Sequence, residues 1–190
     1  MEQYSLILLR SFSNQNTFFT SDHHFGHYTS KERNIIKYCN RPFESIEEMD
    51  RELINRWNEV VRNNDIVYHL GDFTLDRLSK FIEIVEQLNF KELHIIPGSH
   101  DKWIKEFKQR YSNNIHFIDK EYKKIVRIED PLITVNIHKK LIILCHYRMD
   151  TWDRSHYGTY HLFGHSHGKS SDRDNLSLDI GVDCHNFYPV

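Results

Sequence analysis

Short apolar runs recur along this chain, and what connects them changes halfway. Thr17-Phe18-Phe19-Thr20, Asp65 to Leu70 and Leu93 to Ile96 are too short for helices and rich in β-formers, so each reads as a buried strand. Helical periods lie between them. Ser45, with Glu48 three residues on, is a capping-box signature. Ile46, Met49, Leu53, Trp57 and Val60 then follow at spacings of three and four, with the charges mainly on the other face. That helix reads as scaffold with no catalytic role. Leu75 to Leu88 predicts a second helix, with Leu78, Phe81, Ile82, Val85 and Leu88 inward. Trp103, Ile104 and Phe107 mark a third, with Asp101 placed to cap it. A short helix is expected around Ile35, with Ile35, Ile36 and Tyr38 as apolar anchors and Pro42 as its end. Tyr4 to Leu9 predicts an edge strand, followed by a polar turn from Ser11 to Asn16. Strand, glycine-bearing turn and helix in repetition make βαβ architecture.

After Tyr111 the helices stop. Ile115 to Ile118, Lys123 to Ile128, Leu132 to Ile137 and Leu141 to Cys145 are β-like runs, with His138-Lys139-Lys140 as a hairpin turn. This half predicts a second, more antiparallel sheet packed on the first. An aromatic and polar loop, Tyr147 to Tyr160, follows. Leu176 to Ile180 is a last strand, and Gly181 to Val190 a polar-aromatic tail. The chain lacks low-complexity tracts, linkers and repeats. The expectation is one α/β domain over residues 1–190.

Composition narrows the function classes. A formal net charge of -2 argues against a strong nonspecific nucleic-acid binder, though not against a small nucleotide substrate. Cys39, Cys145 and Cys184 are widely spaced and form no CxxC pair, so reduced, mostly buried thiols are expected rather than disulfides or a zinc knuckle. Leu6 to Leu9 is too short for a signal-peptide core or a membrane span. A soluble cytoplasmic protein is the expectation. The unusual count is 14 histidines.

Those histidines, with aspartates, collect at predicted strand ends, where α/β folds keep their sites. Asp22 and His24 follow the first strand, and Asp72 follows the second after Gly71. Ser99-His100 follows the third, His146 follows Cys145, and Gly164-His165-Ser166-His167-Gly168 follows Phe163. In an extended strand, residues two apart share one face and glycine-flanked turns can aim them together. Mixed carboxylate and imidazole suits Mn²⁺, Fe²⁺, Zn²⁺ or Ni²⁺. The ligand count exceeds one tetrahedral site. A carboxylate has two oxygens and can bridge a second ion, and two ions roughly 3.5–4 Å apart clamp a phosphoryl displacement.

Asp22-His23-His24, Gly71-Asp72, Gly98-Ser99-His100-Asp101, His146 and Gly164-His165-Ser166-His167 stand in the order D-x-H, G-D, G-N-H-D, H, G-H-x-H. In this the chain resembles the calcineurin-like metallophosphoesterases over nearly its whole length, in a compact bacterial or phage-type form. The resemblance implies a β-sandwich of two sheets flanked by helices. It implies Asp22, His24, Asp72 and His167 on a first metal, Asp72 as bridge, and His146 and His165 on a second. It further implies a metal-bridging hydroxide as nucleophile and His100 as the group that steadies the phosphoryl oxygens or protonates the leaving group. Ser99 departs from the family's Asn, which reaches the second metal through its side-chain carbonyl. A serine hydroxyl is shorter and a poorer ligand, so weak occupancy of that site and slow turnover are expected.

The resemblance and the near-neutral charge point to a phosphodiesterase on a nucleotide-like or other small diester, with two divalent ions, Mn²⁺ first. A phosphomonoesterase is the near alternative, and a non-catalytic metal-binding scaffold for a protein partner the distant one. The loop from Tyr147 to Tyr160 lies between ligand histidines and is expected to border the site. Trp152, Tyr157 or Tyr160 can stack on a base, Arg148 or Arg154 can meet a phosphate, and His27 and His156 can face the substrate. The competing reading packs Trp152 and the tyrosines on the body and leaves the arginines in solvent. His69 is a candidate to support the ligands. His94, His116, His138, His161 and His185 read as structural or surface residues.

Overall fold

The structure, a computed structural model, describes residues 15–30, 33–118, 123–170 and 176–190. The Tyr4 to Leu9 run and most of the Ser11 to Asn16 turn lie outside the described residues.

Strands β1 (Thr17–Thr20), β2 (Ile66–His69) and β3 (Glu92–Ile95) are parallel neighbours. Helix α1 (Ile35–Cys39) and helix α2 (Ile46–Val60) connect the first two, and α3 (Leu78–Gln87) connects the next. Helix α4 (Ile104–Tyr111) leads to β4 (Asn114–Ile118) and β5 (Lys123–Ile128). These two runs, expected in a second sheet, complete the first, whose order is β1-β2-β3-β5-β4. The reason lies in the alternation of β5. Val126 and Ile128 are buried in one cluster with Leu93, Ile95 and the helix residues Trp57, Phe81 and Phe107. Only a place beside β3 lets that face meet the helices.

The second sheet is β6 (Leu132–Ile137), β7 (Lys140–Cys145), β8 (Tyr160–Phe163) and β9 (Ser177–Asp179), in that order. It was expected to be more antiparallel, but only the β6–β7 hairpin is, and β7-β8-β9 run parallel. Parallel pairing brings the C-terminal ends of β7 and β8 together, so that the Gly164 N–H donates to the His146 carbonyl at 3.0 Å. Leu70, Ile96, Ile142, Leu144, Leu162 and Ile180 form the core between the sheets. Side chains one position along face the other way. Ile143, His161 and Phe163 are buried there by the Tyr147 to Tyr160 loop: Trp152 lies 5.3 Å from the His161 ring, and the Arg148 guanidinium lies 5.8 Å over Phe163. The loop is thus the outer layer of the second sheet.

Several local expectations need adjustment. Helix α1 stops at Asn40, whose left-handed backbone (φ 53°) ends it two residues before Pro42. Its Tyr38 is no apolar anchor but 70% exposed. Ser45 does cap α2, its Oγ accepting from the Glu48 N–H at 3.1 Å, while the Glu48 carboxylate accepts from Glu44 rather than from Ser45. Asp101 does not cap α4, because Trp103 holds the N-cap position and Asp101 is engaged elsewhere. The cysteines are free as expected, but none is fully buried: Cys39 and Cys145 are half-buried and Cys184 is exposed. No helix among the described residues is long and apolar enough to cross a membrane.

Candidate metal centre

The C-terminal ends of β1, β2, β3, β7 and β8 meet at one edge of the sandwich, and five of the residues there carry unusual backbone. Asp22, His24, Asp72, His165 and His167 all have positive φ, between 48° and 67°. Non-glycine residues visit this region rarely and at a cost, and such outliers cluster at functional sites. Each conformation breaks the strand alternation at the point where the side chain must turn inward. Close backbone approach is also required. A Cβ on Gly98 would collide with the backbone nitrogen and Oδ1 of Asp72.

The side chains form two triads, Asp22-His24-His167 and Asp72-His146-His165, each with its ligand atoms within 4.8 Å of one another. Asp72 lies between them. Its Oδ2 is 3.8 Å from His24 Nε2 and 3.4 Å from His146 Nε2. Asp22 Oδ1, His24 Nε2 and His146 Nε2 are buried and have no hydrogen-bond partner among the described residues. Leaving such atoms unsatisfied costs about 1–3 kcal/mol each, and a divalent ion per triad would satisfy all three. The residues therefore suit the implied pair of ions. His146 donates from Nδ1 to the Leu70 carbonyl at 2.7 Å, which leaves Nε2 with its lone pair toward Asp72. Burial opposes charge on Asp72. The approach of His146 to 3.4 Å, and then the charge of His24, outweigh it and hold the carboxyl well below its usual range. At Asp22 burial wins over the charges of His146 and His167 and the Ser21 hydrogen bond, and pushes the carboxyl up to about 6.

Ser99 faces the second triad, its Oγ 3.3 Å from Asp72 Oδ2. His100 donates its backbone N–H to Asp72 Oδ1 at 2.8 Å, and its half-exposed imidazole lies 3.9 Å from Oδ2. His27 is at the site too, its Nδ1 3.2 Å from His24 Nδ1 and its ring 5.8 Å from that of His100. Arg148, Trp152 and His156 are not brought together with these groups. The Trp152 indole donates to Thr159 at 2.8 Å and packs on His161. His156 lies in a 3-10 turn with Tyr157, and Tyr157 and Arg154 share a groove with Lys139, Lys140 and Leu141 at the start of β7. That is the end of the sheet away from His146. The expectation that the whole loop borders the site fails because β7 and β8 are parallel, so their connection must run back along the strands. Only its first residue stays: Tyr147 lies 4.8 Å from the His165 ring and is half-exposed.

Three supporting residues escaped the reading of the sequence. Asp101 is 5% exposed, and its carboxylate accepts from the N–H groups of Asp72 (2.7 Å), Phe73 (2.9 Å) and Gly98 (2.9 Å) and from the Trp103 indole (3.0 Å). It ties the two glycine turns together under the second triad. Asp183 comes from the supposed tail and accepts from His167 Nδ1 at 2.7 Å. Its signal was visible in Ile180-Gly181-Val182-Asp183, another strand end followed by glycine and a carboxylate. Arg41, 4% exposed, pairs with Asp183. His69 lies behind the site, hydrogen-bonded to His23 at 2.9 Å. Burial, and then the charge of His69 on His23 and of His146 on His69, holds both below the usual histidine range.

Known proteins share this chain's sequence pattern and fold. A family model for the calcineurin-like phosphoesterase superfamily domain matches residues 18–181. An uncharacterized protein of Methanocaldococcus jannaschii is 33% identical over 186 residues, which span 94% of this chain and 88% of that one. A protein of unknown function from Aquifex aeolicus has the same fold, with a TM-score of 0.65 at 21% identity over 93% of this chain and 95% of that one. An archaeal phosphodiesterase superposes with a TM-score of 0.50 at 21% identity, over 87% and 81%. Sheet order, the aspartates and histidines at strand ends and the family match over most of its length lead to one conclusion: this chain belongs to the calcineurin-like phosphoesterase superfamily.

Proposed function

We propose that this chain is a metal-dependent phosphodiesterase acting on small, nucleotide-like diesters. The observation that carries the reading is Asp72 Oδ2, within 3.8 Å of imidazole nitrogens from both triads. When bound, two divalent ions supply a water acidified enough to attack at neutral pH and neutralise charge on the phosphoryl oxygens. Mn²⁺ suits the mixed oxygen and nitrogen donors.

The chain's own residues do the rest. Asp22, His24 and His167 hold one ion, and His146 and His165 hold the other, with Asp72 shared. His100, fixed through its backbone on Asp72, presents its half-exposed ring to the phosphoryl oxygens or the leaving group and donates a proton there. His27 stands beside it on the open side. Ser99 offers only a short hydroxyl, so the second ion binds weakly. Two exposed tyrosines, one on each triad, support a diester over a monoester. Tyr147 flanks His165, and Tyr38 lies 6.3 Å from His167 with the Lys169 ammonium 4.3 Å over its ring. A diester has two arms for two such faces. Stacking on a base is worth about 1–3 kcal/mol.

The test is hydrolysis of bis-p-nitrophenyl phosphate against p-nitrophenyl phosphate with Mn²⁺. Faster diester turnover, lost on His100→Ala, is expected. Monoester preference would make the chain a phosphomonoesterase. No turnover of either substrate with two ions bound would favour the scaffold reading.

A further inference from the structure

We propose that Arg41 and Asp183 are positioning residues that make the first triad the tighter of the two ion sites. The inference deepens the dinuclear reading and rests on it.

The C-terminal segment reaches the site by backbone pairing. Ser21 bridges Gly181, and the Val182 N–H donates to the Ser21 carbonyl at 3.0 Å. This sets Asp183 against the turn that follows β1. Arg41 then uses its whole guanidinium. Nε and Nη2 donate to the two Asp183 oxygens, each at 2.8 Å. Nη2 also donates to the Asp22 carbonyl at 2.7 Å, and Nη1 to the His23 carbonyl at 2.9 Å. The second Asp183 oxygen accepts from His167 Nδ1 at 2.7 Å. One planar cation therefore holds the backbone of Asp22-His23 and, through Asp183, the ring of His167. An ammonium cannot do this, because its donors do not form a fork.

Two consequences follow. The carbonyls that Arg41 grips belong to a turn in which Asp22 (φ 60°) and His24 (φ 54°) are held in the costly left-handed region. Asp183 fixes the His167 tautomer with the proton on Nδ1, so Nε2 keeps its lone pair for an ion. Cys39 also lies within 4.8 Å of His167 and Asp183, but the Asp183 oxygens are already taken by Arg41 and His167, so these three are support and not a third site. The second triad lacks this backing at its outer ligand. His165 is exposed, and among the described residues no hydrogen bond holds its ring, which rests against Tyr147 and His146.

The experiment is titration of the metal-free full chain with Mn²⁺ alone, beside Arg41→Lys and Asp183→Asn, with ¹⁵N imidazole spectra of the metal-free proteins. The parent is expected to bind two ions unequally. Each variant is expected to lose about 10–100-fold in the tighter event and little in the weaker one. In its neutral form the His167 ring is expected as the Nδ1–H tautomer in the parent and as a mixture in Asp183→Asn. Asp183→Glu, which restores a carboxylate, is expected to recover part of the affinity. Unchanged affinities in both variants overturn the proposal, and equal losses in both events do so too, because they mark a merely structural role. A parent that binds no Mn²⁺ overturns the dinuclear reading instead. The clamp is then judged on the His167 tautomer, and an Nε2–H form would overturn it.

Discussion

His165 and His167 stand two residues apart in one glycine-flanked turn, yet they end in different surroundings. His167 is half-buried, with its ring held by Asp183 and, behind that, by Arg41 from another part of the chain. His165 is exposed, and its backbone N–H rather than its ring carries its hydrogen bond, to Asp22 Oδ2 at 2.8 Å. The same local motif thus supplies one anchored imidazole and one adjustable imidazole. Ligand identity is a local property of the turn. Ligand rigidity comes from residues distant in sequence.

The comparison can be broken most severely at the residue both triads share. Asp72→Asn is expected to lower diester turnover by roughly 10³-fold and to weaken both binding events. Loss of only one event would mean that Asp72 serves one triad alone. Next comes the turn beneath it. Gly98→Ala pushes a methyl into the Asp72 backbone, so urea unfolding is expected to show a loss of about 1–3 kcal/mol, together with a drop in turnover. A fully active Gly98→Ala chain would show that the turn can give way.

Ser99→Asn sharpens the contrast from the other side. It adds a donor to the second triad, and calorimetry is expected to tighten the weaker event by about tenfold while the tighter one stays put. An unchanged weaker event with unchanged turnover would remove Ser99 as the cause of asymmetry. The smallest effect is at the rim. Tyr147→Ala is expected to raise KM for an aromatic diester by about fivefold with kcat nearly constant. Trp152→Ala is expected to cost about 1–2 kcal/mol of stability through the lost indole hydrogen bond and leave KM alone. The reverse outcome would return Trp152 to the substrate.

The motifs at strand ends were legible because each is a local event. An apolar run ends, a glycine permits a sharp turn, and an Asp or His follows. Neither the sheet that Ile115 to Ile118 and Lys123 to Ile128 would join nor the path of the Tyr147 to Tyr160 loop was legible. Strand runs look alike whichever neighbour they pair with, and sheet membership depends on which core their alternate side chains fill. The loop was misread by proximity in sequence. Two parallel strands that both end at the site force their connection to leave it, and this can be inferred only once the pairing is known. Asp101 looked like a helix cap for a similar reason, since a carboxylate before a helix serves any nearby N–H groups, and the nearer ones belonged to the Asp72 turn.

The sequence by itself determined the set of candidate ligands, their attachment to strand ends and the family, because these depend on residue type and order along the chain. Only the tertiary structure decided that Asp183 and Arg41 stand behind His167 and that the aromatic loop covers the second sheet instead of the substrate. Those facts depend on distances between segments far apart along the chain; Arg41 and Asp183 are 142 residues apart. Burial, sheet pairing and the need to satisfy buried polar groups fix such distances together, and no local pattern encodes them.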